Sequence, residues 1–189
     1  MNLRYVEGDL FAPLDTEIAA AAKSKKKHVI YIPHVCNCKG GWGSGFVVPL
    51  GTKFPMAKQK YLGMGVNESN LGYTQSVTVT ETQPTVVICN MIAQTLGGVR
   101  PLYYNHLAAC MEQVAHNVSV QMNALTKPKT TCEIRCPMFG AGLAGGDWNF
   151  IEMLIEDTWV KRGINVSVYW LAQFVPDNWA NKHRLNPTA

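Results

Sequence analysis

Eight of the 16 glycines fall in two short segments: Gly40, Gly41, Gly43 and Gly45 in one, Gly140, Gly142, Gly145 and Gly146 in the other. Glycine allows a ligand to approach the main chain closely, and main-chain N–H groups left free between a strand and a helix are ready donors for an anion. Hydrogen bonds involving a charged group contribute roughly 1.5–3 kcal/mol each, so four or five loop amides support micromolar binding, about 8 kcal/mol, of a phosphate-bearing ligand without a lysine. Either segment alone also reads as a tight turn; two at equivalent strand ends point to a shared diphosphate site. Asn37 precedes the first segment and Asp147 follows the second. A bare asparagine there is a turn former, and Asp147 reads equally as a helix cap and as a carboxylate that orients water.

Several chemistries are excluded by the same residues. Neither CNCKGGWGSGF nor PMFGAGLAGGDW has the GxxxxGK[ST] form of a nucleotide-triphosphate loop. No Asp or Glu occurs between Ile18 and Asn67, so the acidic partner of a dinucleotide-binding glycine loop is missing. That stretch carries eight lysines, a field that steers a diphosphate toward the first segment, while KSKKK at 23–27 itself reads as a solvated basic face. No Cys-x5-Arg loop and no carboxylate cluster with two-metal spacing is present, so neither a covalent thiol-phosphate nor a metal-activated hydroxide is indicated.

The elements that must hold these segments alternate along the chain. Strands are read at Leu3 to Val6, over HVIYIPHVCN (28–37), at Tyr73 to Thr80, Thr85 to Ile92, Thr131 to Met138 and Ile164 to Leu171. Helices are read at Leu14 to Ala22, at Pro101 to Leu125 with Pro101 in the first turn, and at Asp147 to Arg162 with Gly163 as the stop. Strands alternating with helices predict an α/β fold, a three-layer α/β/α sandwich around a central mixed sheet, with ligands at the carboxyl ends of its strands. Alternation along 28–37 places His34 on the face opposite Asn37, as a buried structural histidine.

At 189 residues, about one domain's length, the chain is read as one domain over 1–174 with a polar tail over 175–189. With 47% apolar residues and mean hydropathy near zero it buries enough surface to fold without disulfides. Its net charge of +4 does not call for nucleic acid, and its aromatics are not interleaved with basic residues. No membrane-spanning run and no apolar leader are read, so the protein is expected in the cytoplasm, away from membranes. The six cysteines read as buried reduced thiols, because the CxC at 36–38 and the Cx3C at 132–136 lack the spacing of a zinc site; neither metal nor cofactor is expected.

GDL at 8–10, HVCNCKGGWGSGF at 34–46 with Phe54-Pro55, and PMFGAGLAGGDW at 137–148 resemble the macrodomain, an ADP-ribose-binding module, over about residues 3–172. Within it they are most similar to the branch of fungal ADP-ribose 1″-phosphate phosphatases and of bacterial and phage ADP-ribose 1″-phosphate processing proteins. The resemblance implies that Asp9 accepts from the adenine amino group, the Leu10 N–H helps hold the base, and Asn37 contacts the distal ribose. It also implies that Gly43, Ser44, Gly45 and Phe46 form one diphosphate loop, and that Phe139, Gly140, Ala141, Gly142, Leu143 and Ala144 form the other. Trp42 either covers the terminal ribose or packs as a lid. A related deacylating branch uses a lysine and an aspartate; here Ala144 stands at the aspartate's place and NMIAQ (90–94) at the lysine's, which argues against that chemistry.

The implied activity is hydrolysis of ADP-ribose 1″-phosphate to ADP-ribose and phosphate by positioned water, with Asn37 and Asp147 as catalytic candidates and ADP-ribose or ADP-ribose 1″-phosphate as the small-molecule ligand. The alternatives are an ADP-ribosyl hydrolase acting on modified macromolecules and a non-catalytic ADP-ribose reader.

Overall fold

A computed structural model describes residues 2–21, 27–80, 82–124 and 129–174 of the chain. Its centre is a pair of ten-residue parallel strands, β2 (His28–Asn37) and β4 (Thr85–Gln94), apolar along most of their length because helices cover both faces. Around them lie β1 (Leu3–Glu7), β3 (Thr74–Thr78), β5 (Thr131–Pro137) and β6 (Asn165–Trp170). The sheet order is β1-β6-β5-β2-β4-β3, parallel throughout except for β3 against β4. This is the mixed sheet read from the sequence.

Helices α1 (Phe11–Ala21), α2 (Val47–Lys53) and α3 (Pro55–Gly63) pack on one face, and α4 (Tyr104–Asn123) and α5 (Trp148–Thr158) on the other. Strand alternation sorts the core: Ile30, Ile32 and Cys36 face the first group, Val29 and Tyr31 the second. In α4, Leu107, Met111, Val114 and Val118 are buried at the spacing that predicted a helix. The helix begins at Tyr104, however, and Pro101 is not in its first turn. The Pro101 carbonyl accepts from Thr95 N–H and Leu102 bridges Gln94, so this segment belongs to the end of β4. After α5 a 3-10 turn at Val160–Arg162 closes on Gly163, whose φ of +78° suits glycine. Leu125, the lysines at 23, 25 and 26 and the tail over 175–189 lie outside the described residues. No described helix is long and apolar enough to cross a membrane.

All six cysteines are buried free thiols, and burial pushes the thiols of Cys36, Cys89 and Cys136 up. They are core side chains, not nucleophiles.

One charged strip is enclosed beneath α1. Arg135 of β5 pairs with Glu133 at 2.5 Å and with Glu17 of α1 at 2.8 Å, while His28 Nε2 lies 3.1 Å from Glu133. Burial works against the Glu133 carboxylate, but hydrogen bonds from His28 and Arg135 outweigh it and hold its pKa down to about 2. The depressed pKa means the stabilisation is complete above the unfolded value and lost as pH falls through the folded one. Glu133→Gln is therefore expected to lower stability at pH 7 by about 3 kcal/mol. Urea unfolding should show the deficit narrowing as pH falls from 4.5 toward 2; a deficit independent of pH would contradict the assignment.

Candidate functional site

Because β2 and β5 are adjacent and parallel, the chain leaves both at the same sheet edge. Loop 1 (38–46) runs from β2 into α2, and loop 2 (138–147) from β5 into α5. They meet: a Cβ built on Gly45 would lie 3.8 Å from Leu143 Cδ1. The end of β1 joins the same edge, where Gly8 N–H donates to the Trp170 carbonyl at 2.9 Å. Asp9 is exposed there, one carboxylate oxygen accepting from Phe11 N–H at 3.0 Å, and the Leu10 side chain is buried beside it.

Loop 2 turns its carbonyls inward. Gly140 O accepts from Gly146 N–H at 2.8 Å, Gly142 O from Gly145 N–H at 2.9 Å, and Ala144 O from Leu102 N–H at 3.2 Å. The N–H groups of residues 140–144 have no hydrogen-bond partner among the described residues, and the same holds for 42–46 in loop 1. Two runs of N–H groups without acceptors among the described residues therefore lie in neighbouring loops, an arrangement suited to anionic oxygens. Since α2 has only seven residues, the loop amides rather than a long helix dipole supply the positive field. Phe139 points away from the cleft, its ring 6.0 Å from both Trp148 and Trp159, and anchors the loop in the core. Ala144 is buried as well, whereas Gly142 and Leu143 are exposed.

Two side chains hold loop 1. Asn37 makes hydrogen bonds within its own loop: Oδ1 accepts from Lys39 and Gly41 N–H, both at 2.9 Å, and Nδ2 donates to Gly41 O at 2.7 Å. The Tyr61 hydroxyl lies 2.5 Å from Asn37 O and 3.2 Å from Oδ1. Asn37 thus shapes its own loop, an Asx-type turn, with its side chain turned toward α3. At the end of β2, where β4 carries one extra residue (Ala93) between the Cys36–Ile92 and Asn37–Gln94 pairs, Asn37 turns to Tyr61, on which the His34 neighbour Trp42 also packs, so alternation does not separate Asn37 from His34 as expected. Trp42 packs as a lid on the core. It is buried between His34, at 5.6 Å, and Tyr61, at 5.2 Å, because the following α2 brings Gly51 against its indole.

His34 is buried, as expected. Its Nε2 lies 2.7 Å from Asn90 Oδ1, and Asn90 Nδ2 donates to Ala57 O and Gln75 Oε1, which leaves Oδ1 as the acceptor and the proton on Nε2. Burial lowers the His34 pKa to about 4, so the ring is neutral at physiological pH. It packs beneath Trp42 and Phe46, and Phe46 stacks on Phe11 of α1 at 5.5 Å. Gly43, Ser44 and Gly45 stay exposed above this support.

Asp147 caps α5, accepting at Oδ1 from Asn149 N–H at 2.9 Å, and its Oδ2 has no partner among the described residues. Its own N–H donates to the Tyr104 hydroxyl at 2.7 Å. A third loop, TLGGVR (95–100), leaves β4 at the same edge and went unread in the sequence. The signal was there in Gly97-Gly98, directly after a strand, but two glycines do not stand out beside clusters of four.

Glycines in loop 2 have separable roles. Gly145, at φ +67°, would place a Cβ 2.6 Å from Val99 O, whereas Gly142 has open space around it. Gly145→Ala is expected to destabilise the fold by about 2 kcal/mol or more, through backbone strain and a clash with main chain, and Gly142→Ala by well under 1 kcal/mol. Thermal unfolding of the two variants checks this; equal melting points would refute it.

No family model matches the chain. An ADP-ribose 1″-phosphate phosphatase of Candida albicans is 24% identical over 155 residues, covering 82% of this chain and 92% of that one. A protein of unknown function from Bacteroides thetaiotaomicron matches in structure with a TM-score of 0.70 at 29% identity, over 90% of this chain and 99% of its own. A macrodomain protein from Streptomyces coelicolor matches with a TM-score of 0.64 at 33% identity, over 88% and 97% respectively. With this identity sustained along nearly the whole of both chains, and the fold shared, the protein belongs to the macrodomain family, within which it is similar to the ADP-ribose 1″-phosphate phosphatases.

Proposed function

We propose that the cleft between loops 1 and 2 binds ADP-ribose and that the protein hydrolyses ADP-ribose 1″-phosphate to ADP-ribose and inorganic phosphate. The observation that carries this reading is the pair of facing amide runs, 42–46 and 140–144, at the ends of adjacent parallel strands. A diphosphate presents oxygens on both sides of its bridging atom and so takes donors from both loops. Asp9, at the β1 end of the same edge, supplies a free carboxylate oxygen for an exocyclic amine, with the Leu10 N–H next to it. The name of the Candida albicans relative supports the choice of substrate.

In the proposed reaction a water oxygen adds to the 1″-phosphorus while the bond from phosphorus to the 1″ oxygen breaks. The departing oxygen takes a proton and remains on ADP-ribose, and inorganic phosphate leaves. Loop amides stabilise the charge that develops on the phosphoryl oxygens. Asp147 Oδ2 orients the water, since Oδ1 is held by the cap of α5. Asn37 contributes by holding loop 1 in shape; its amide is committed there.

Two variants test binding and chemistry separately. Gly142→Glu places a carboxylate in open space at the cleft and is expected to abolish the thermal shift that ADP-ribose gives the wild type; equal shifts would show the cleft to be misplaced. Asp147→Asn keeps a residue that caps a helix equally well, so melting and ADP-ribose affinity should hold while phosphate release falls about 100-fold. Wild-type binding without any phosphate release would instead identify a reader of ADP-ribose.

A further inference from the structure

Loop 95–100 has the features of an anion site that neither glycine cluster accounts for. Gly97 and Gly98 both lie in the left-handed region, at φ +78° and +83°, and nothing approaches within 4 Å of where their Cβ atoms would be. The N–H groups of residues 96–100 have no hydrogen-bond partner among the described residues; Thr95 N–H, by contrast, is used by Pro101 O. The loop is also built into the cleft. Its Val99–Arg100 backbone packs on Gly145 of loop 2, and Leu96 Cδ1 would lie 3.2 Å from a Cβ on Gly41 of loop 1.

Arg100 closes this loop. It is exposed and makes no ion pair among the described residues, whereas Lys39 of loop 1 is paired with Glu68. Its guanidinium carbon sits 4.9 Å from the centroid of the Tyr104 ring. Stacking uses the face of the guanidinium and leaves the N–H donors at its rim for a planar or tetrahedral oxyanion. Tyr104 is itself fixed, its hydroxyl accepting from Asp147 N–H and its ring edge-on to Phe150 at 4.6 Å. An arginine held over an aromatic ring beside free main-chain donors suits a phosphate monoester better than a diphosphate bridge, because the monoester offers three terminal oxygens to one fork.

We propose that loop 95–100, with Arg100, is the subsite for a terminal phosphate monoester, and so the element that distinguishes ADP-ribose 1″-phosphate from ADP-ribose. This rests on the reading of the cleft given above. The order of the sheet supplies the direction: the base end lies at β1, the diphosphate between β5 and β2, and β4 is the next strand beyond. From the middle of the β5–β2 pair to β4 is one and a half strand spacings, roughly 7 Å, which leaves room for the terminal ribose.

Calorimetry at low ionic strength decides the matter, using ADP-ribose and a 1″-methylenephosphonate analogue of ADP-ribose 1″-phosphate, in which CH2 replaces the bridging oxygen and prevents turnover. The wild type is expected to bind the analogue about 10- to 100-fold more tightly than ADP-ribose. Arg100→Ala should remove that preference while changing ADP-ribose affinity less than about twofold, and Arg100→Lys, which keeps the charge but not the fork, should retain part of it. A wild type that binds ADP-ribose but not the analogue more tightly, or an Arg100→Ala variant that weakens both ligands alike, overturns the subsite and leaves the cleft standing. A wild type that binds neither ligand overturns the reading of the cleft, and the subsite falls with it.

Discussion

The parallel pairing of β2 with β5 is the constraint on which the site depends. Parallel neighbours release their chains at the same edge, so two loops far apart in sequence emerge side by side. Were either strand reversed, its glycine loop would lie at the opposite end of the sheet. The pairing leaves two runs of main-chain donors without acceptors among the described residues, a state that solvent or an anion satisfies at the surface and that burial would penalise.

Loops with so few side chains need support from outside themselves. Loop 1 receives it from below: the neutral His34–Asn90 pair, the Trp42 indole against Gly51, the Phe46–Phe11 stack and the Tyr61–Asn37 hydrogen bonds. Loop 2 is held by Phe139 in the core, by its own carbonyl bonds and by the main chain of the β4 loop at Gly145. Gln75, Asn90 and His34 are linked by hydrogen bonds under loop 1, whereas the buried Trp42 indole N–H has no hydrogen-bond partner among the described residues. A loop held in this way gives up little further freedom when a ligand arrives.

Much of this was legible in the residues. Apolar runs gave β2 over its full length, the three-and-four spacing placed α4, Gly163 marked the stop after α5, and glycine density located loops 1 and 2. The misreadings share a cause: each concerned which way a group turns where an element ends. Pro101 looked like a helix start because its hydrogen bond to Thr95 lies across a turn that no local pattern announces. Residue type suggested that Asn37 and Trp42 reach a ligand, but not that α2 and α3 would also engage them, through Gly51 and Tyr61.

Local chemistry along the chain therefore determined the strands, three of the five helices, the identity of the glycine loops and the acidic residues at their margins, since periodicity and backbone freedom are properties of neighbouring residues; the short α2 and α3, too brief to show a period, were not read. Tertiary structure alone decided that β4 sends a third loop to the same edge and that Arg100 has no carboxylate partner among the described residues. It also decided that Asn37 serves its loop. Those outcomes depend on strand order and on contacts between residues remote in sequence, for which spacing along the chain carries no signal.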